Sequence, residues 1–207
     1  MRIRKINKTI GELIQGAEWL GEGASKETFG KGDIVYKVPR GRYLIEEGGF
    51  GFNLNYPSTM EEMNEFLREV DEYEFRLVWP LGQFAMEIII WETLKEIEEE
   101  GYDISCFARI KDYYFDKNGV LVIEQERCDE EWVETWSEDF SKLEEEIDRL
   151  SPVLEEYGIK LRDIRSGNCG YINGKIKLFD FGLSSNTDID YYGSYSDYGS
   201  SSSSYSY

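Results

Sequence analysis

The chain has no histidine among its 207 residues. That absence removes histidine-based triads, imidazole acid–base chemistry and most transition-metal sites. Cysteine is scarce as well. Cys106, Cys128 and Cys169 form an odd set with no Cys-x-x-Cys spacing, which argues against a disulfide framework or a zinc–thiolate site. Three reduced thiols in a cytoplasmic protein are the expectation. Positive charge is also in short supply, with 23 Lys and Arg against 42 Asp and Glu and a net charge of −19. Such a surface repels nucleic acid and anionic lipid, so neither a nucleic-acid nor a membrane partner is expected. No apolar run reaches membrane-spanning length, and the basic start MRIRKINKTI leads into no signal-peptide core. Any chemistry must therefore use carboxylates, Lys, Arg, Tyr, Ser or Cys.

Core material is plentiful. Hydrophobic residues make up 41% of the chain and aromatics 15%, enough for one compact domain or two small lobes. Residues 17–38 read as short strands, with a turn at Gly30-Lys31-Gly32-Asp33 before an apolar strand through Val35, Lys37 and Val38. Residues 41–57 read as a loop. A helix is expected from Ser58, with Glu61 completing a capping box and Met63, Phe66, Leu67 and Val70 on one face. A stronger helix, GQFAMEIIIWETLKEIEEEG, has a broad apolar face from Phe84 to Ile97 and a stop at Gly101. Asn118-Gly119 and Asn173-Gly174 each lie between apolar runs and signal hairpins. Between them, SEDFSKLEEEIDRLSPVLEEYG reads as helical, with Ser151-Pro152 either a new helix start or a kink. The last segment, 191–207, holds six Tyr, eight Ser, two Gly and one Asp. With no aliphatic residue to build a core, it reads as a disordered low-complexity tail.

Five pieces stand in order along the chain. They are the glycines of LGEGASKETF, the lysine of IVYKV, a glutamate in AMEIIIWETL, LRDIRSGN and FDFG. In this order they resemble the protein-kinase-like superfamily, from about Trp19 to about Ser185. The resemblance implies an α+β, two-lobed fold with an antiparallel-sheet N-lobe over 1–128 and a minimal, mostly helical C-lobe over 129–186. The tail follows over 187–207, and an insert spans about 42–82.

It also implies roles. Backbone of Gly21, Glu22, Gly23, Ala24 and Ser25 would cover nucleotide phosphates, although the third glycine of the usual pattern is Lys26 here. Lys37 would pair with those phosphates; as a strand residue it also reads as an outward-facing surface lysine. Glu87 would hold Lys37, with Glu92 the competing helix carboxylate. Asp163 would orient the attacking hydroxyl, and Arg165 would offset charge on the transferred group. Leu161 stands where the family usually has histidine. Asn168 and Asp180 would bind magnesium, Phe181 would pack against the glutamate helix, and Gly182 would free the backbone. The hinge whose backbone donors and acceptors meet adenine is expected near Glu124 to Arg127, with Glu124 and Glu126 as the nucleotide-binding positions.

ATP and Mg2+ are thus the implied cofactors. A protein Ser/Thr or Tyr hydroxyl, including those of the chain's own tail, is the implied acceptor. Only 25 residues follow Gly182, so no activation segment or large helical lobe is expected, as in reduced kinases of the RIO type. That pared-down form would suit a bacterial or bacteriophage protein. The competing readings are a pseudokinase or inhibitory partner-binding protein and a small-molecule kinase of the aminoglycoside or choline type.

Overall fold

The computed structural model describes residues 3–23, 25–40, 72–129 and 133–181. The expected loop at 41–57, the expected helix from Ser58 and the tail lie outside the described residues.

Five antiparallel strands form the main sheet, in the order β1 (Glu18–Glu22), β2 (Lys26–Lys31), β3 (Ile34–Pro39), β5 (Leu121–Glu126), β4 (Ile110–Phe115). The β2–β3 hairpin turns at Gly32-Asp33, within the expected turn, and pairs Lys26 with Pro39 and Thr28 with Lys37. The β4–β5 hairpin turns around Asn118-Gly119, again as expected. Its anchor is Asp116, a fully buried carboxylate. Asp116 Oδ1 accepts from the backbone N–H groups of Asn118 and Val120 at 2.8 Å, and Oδ2 accepts from Ile10 N–H at 2.9 Å. Three backbone donors meet the need of a buried charge for hydrogen bonds.

The Ile10 contact gives the N-terminal segment a structural place. Its backbone runs beside β4, with hydrogen bonds between Arg4, Ile6 and Phe115. It then forms the short helix α1 (Ile10–Leu13), closed by a Thr9–Glu12 capping box. Ile10 packs with Val38, Tyr114 and Val122 on one face of the sheet.

The other face meets α2 (Glu72–Glu99), which begins ten residues before the expected GQF start. Its end matches expectation. Gly101 N–H bonds to Glu98 O at 3.0 Å and Tyr102 N–H to Ile97 O at 3.2 Å, the paired bonds of a glycine-terminated helix. Ile88, Ile90, Leu94 and Ile97 pack with Ile110, Leu121 and Ile123 of the sheet. The same buried cluster continues into α3 (Glu138–Glu156) through Phe140, Leu143, Ile147, Leu150 and Leu154. Those positions alternate by three and four, the signature of one buried helix stripe. Pro152 lies inside α3, which runs through it rather than restarting. One buried core therefore runs across residue 129 without a break.

After α3 come a 3-10 turn (Ser166–Asn168) and a second, two-stranded sheet of β6 (Cys169–Ile172) and β7 (Lys175–Leu178). Asn173 and Gly174 connect them with φ of 53° and 74°. Two successive left-handed residues match the turn that a twisted hairpin prefers. The hairpin docks on the core, where Ala108 N–H bonds to Leu178 O and Leu178 N–H to Cys106 O.

Candidate functional site

The strand period puts cations on one face of the β2–β3 hairpin. Thr28 lies opposite Lys37, and Lys26 is two residues from Thr28; residues two apart share a face. Lys37 and Lys26 are both buried, as is Glu87 on α2. Glu87 spreads its two carboxylate oxygens between them. Lys37 Nζ donates to Oε1, and Lys26 Nζ donates to Oε2 at 3.0 Å. Lys37 Nζ also donates to Phe179 O at 2.6 Å, and Lys26 Nζ to Asp180 Oδ1 at 2.5 Å. Glu92, the competing carboxylate, instead pairs with Lys95 at 2.7 Å.

Two buried ammonium groups thus share two carboxylates. Burial pushes Lys37 below its ordinary value, against the pull of Glu87 and with added repulsion from Lys26. Burial works the same way on Lys26, but Glu87 and Asp180 together outweigh it and hold that lysine above its ordinary value.

The opposite wall comes from 157–181. Asp163 has a φ of 64°, a left-handed conformation that Asp and Asn adopt more readily than other side-chain-bearing residues. Asn168 holds it there, with Nδ2 donating to Asp163 O at 2.8 Å and Oδ2 at 3.0 Å. Arg165 Nε lies 3.1 Å from Asp163 Oδ1. Phe179 N–H bonds to Asn168 O at 2.9 Å. The β6–β7 hairpin thus brings the residue before Asp180 back onto Asn168, and Phe179 O reaches Lys37. Phe181 is fully buried in the cluster that includes Ile88 and Trp91, edge-on to Phe107 at 5.6 Å.

A cleft of about 470 Å³ lies between the two walls. Gly21, Gly23, Ser25, Lys26 and Lys37 line one side, and Asp163, Arg165, Asn168 and Asp180 the other. Glu22 also lines it, and Leu20 and Val35 add apolar surface. Ala24 and Gly182 lie outside the described residues.

The hinge differs in detail from expectation. Glu124 does not line the cleft; its carboxylate accepts from the Tyr114 hydroxyl. Glu126 does line it, but its N–H is spent on Arg109 O, and Arg127 N–H on Asp33 O. Cys128 follows in the lining, and its N–H makes no hydrogen bond among the described residues. A larger depression, about 640 Å³, lies between α2 and β4. Its cations are already paired, Arg4 with Asp112, Lys95 with Glu92, Arg109 with Glu98 and Lys111 with Asp33.

The donor set fits magnesium. Asn168 Nδ2 donates twice to Asp163, and its side-chain oxygen accepts no hydrogen bond among the described residues; Asp180, paired with Lys26, adds a second hard oxygen. No group of three or more His, Cys, Asp or Glu is gathered for a metal among the described residues. Two protein oxygens suit an ion that keeps water and binds together with phosphate.

Lys26 is the residue that sequence reasoning passed over. It stands where the resembled pattern has a glycine, yet the turn at Gly32-Asp33 already sets the hairpin register that puts it on the same face as Lys37. Cys128 carried no comparable signal.

No protein-family model and no curated protein matches the sequence. Among solved structures, the chain is similar to one in a CAK complex from Chaetomium thermophilum described as bound to ATP-gamma-S. The identity is 16% and the TM-score 0.41, over 82% of this chain and 46% of that one. The chain thus spans about half the length of that neighbour, and a likeness at this level fixes neither fold nor activity.

Proposed function

We propose that the chain is an ATP- and magnesium-dependent phosphotransferase acting on Ser/Thr or Tyr hydroxyls of protein. The observation that carries this reading is the meeting of Lys37, seated on Glu87, with Asp163, Asn168 and Asp180 in one cleft. Phosphoryl transfer asks mainly for positioning and charge neutralisation, and this cleft offers both. Its volume lies in the range of small-molecule sites.

Asp180 and Asn168 would hold magnesium, which when bound offsets charge on the nucleotide phosphates. Lys37 contacts those phosphates, and backbone around Gly21 and Gly23 covers them. Asp163 orients the acceptor hydroxyl and takes up its proton. Arg165, beside Asp163, faces the transferred group. Glu126 to Cys128 edge the part of the cleft where adenine would lie, beside Leu20 and Val35. The fourteen Tyr and Ser hydroxyls of 191–207 are candidate acceptors, because covalent linkage within one chain raises effective concentration.

A second reading is a nucleotide-binding partner protein without turnover. The ion pair between Lys26 and Asp180 favours it, because a would-be metal ligand is already engaged. Incubation with ATP and magnesium, beside an Asp180→Ala control, separates the two by intact-mass and peptide mass spectrometry. Phosphate on wild type and none on the control supports transfer. Nucleotide binding with no added phosphate on the chain or on offered protein substrates supports the second reading.

A further inference from the structure

Lys26 and Lys37 are the buried lysines among the described residues, and the reading above uses only Lys37. The Lys26 ammonium is held by Glu87 Oε2 at 3.0 Å and Asp180 Oδ1 at 2.5 Å. Glu87 alone can balance one lysine. The second therefore depends on Asp180, the same carboxylate that would hold magnesium. A divalent cation and a buried ammonium on one carboxylate repel each other. If the metal takes Asp180, Lys26 is left buried with a share of Glu87 only. A buried charge that loses its partner is strongly destabilising, so the exchange needs a second anion nearby. The polyphosphate that accompanies the metal supplies one. Lys26 begins the strand that follows Gly21, Gly23 and Ser25, and all four residues line the same cleft. Its flexible stem and three donors suit a move of this kind.

We propose that Lys26 is a second phosphate-binding lysine, one that holds Asp180 until a metal–nucleotide complex arrives and then passes its contact to the phosphates. This rests on the phosphotransferase reading. It adds that metal and nucleotide are taken up together, and that a free divalent ion is disfavoured because it must displace Lys26 with no anion to receive it.

Calorimetric titration of wild type, Lys26→Met and Lys26→Arg tests this, with Mn2+ alone as one probe and magnesium–ATP as the other. Lys26→Met is expected to weaken magnesium–ATP on the order of 10- to 100-fold, the range of a lost charge-assisted hydrogen bond. The same variant should bind Mn2+ alone more tightly than wild type. Lys26→Arg keeps the charge and should keep most of the nucleotide affinity. Lys26→Gln, which retains a donor to Glu87 without the charge, replaces Lys26→Met if that variant does not fold. Unchanged magnesium–ATP affinity in the uncharged variant, or Mn2+ binding no tighter than wild type, overturns the proposal and leaves the phosphotransferase reading standing. No magnesium–ATP binding by wild type overturns both.

Discussion

The two walls of the cleft hold their charges in opposite ways. On the sheet wall, Lys26 and Lys37 project from a regular hairpin, are buried and share Glu87, with Asp180 reaching across to Lys26. On the loop wall, Asp163 and Asp180 are partly exposed and sit on irregular backbone, with Asp163 in a left-handed conformation. The first wall is an electrostatic part of the core. The second is a positioned, solvent-touched set of oxygens. Changes on the sheet wall should therefore cost stability first, and changes on the loop wall should cost function while leaving the fold in place.

The largest expected effect breaks the sheet wall. Glu87→Ala leaves two buried lysines short of their shared partner, and removing one member of a buried ion pair costs roughly 3–5 kcal/mol. Urea unfolding should show that loss as a lower midpoint with an unchanged slope. A midpoint close to wild type would mean that the two lysines escape to solvent.

The loop wall is probed next. Asp163→Asn keeps a residue that tolerates the left-handed backbone and should barely change stability. It should lower phosphotransfer by about 10²–10⁴-fold, the usual worth of a positioned acid–base group. A large stability loss here would erase the contrast between the walls. A smaller structural test joins the two walls at their back. A Cβ on Gly170 would meet Cys128 Cβ at 2.7 Å and Sγ at 3.0 Å. Gly170→Ala must push the segment that carries Cys128 away from the β6–β7 hairpin, and overpacking of this kind costs typically about 1–3 kcal/mol. Weaker nucleotide binding should accompany the lower thermal midpoint.

The smallest effect is a pH dependence. Burial works to raise the Glu126 carboxyl, but the Arg109 N–H and the Lys177 ammonium outweigh it and hold the group below its ordinary 4.5. Its contribution is then fully present above about 4.5 and lost as pH falls through the lower folded-state value. Thermal midpoints from pH 6 to 3 should fall less steeply in Glu126→Gln than in wild type. Because Glu126 is partly exposed, solvent screening keeps this difference modest.

The two walls also differ in how much of them could be read from sequence. The loop wall was legible because short motifs carry it. Asp163, Asn168 and Asp180 lie within 18 residues, and Asn173-Gly174 announces the turn that folds them together. The three hairpin turns and the Gly101 stop were visible for the same local reason. The sheet wall was only half legible. Lys37 stood out, but Lys26 acquires meaning only through cross-strand register, which pattern matching does not weigh. Glu87 is preferred over Glu92 by the apolar run EIIIWETL that starts with it, whereas its contact with a second lysine shows only in the fold. The N-terminal segment offered only the Thr9-x-x-Glu12 capping pattern, and its place follows from long-range pairing with β4 and from Asp116 bonding to Ile10. Cys128 is similar, being distinguished by a backbone N–H that makes no hydrogen bond among the described residues after its neighbours have bonded.

The most direct test of the central claim is a thermal-shift titration of wild type with ATP, once with magnesium and once with a chelator. A ligand that binds the folded state raises the midpoint with concentration. A rise with magnesium and ATP together that is far larger than with either alone is the predicted result. No shift under any of these conditions would contradict the assignment of this cleft to a metal–nucleotide complex.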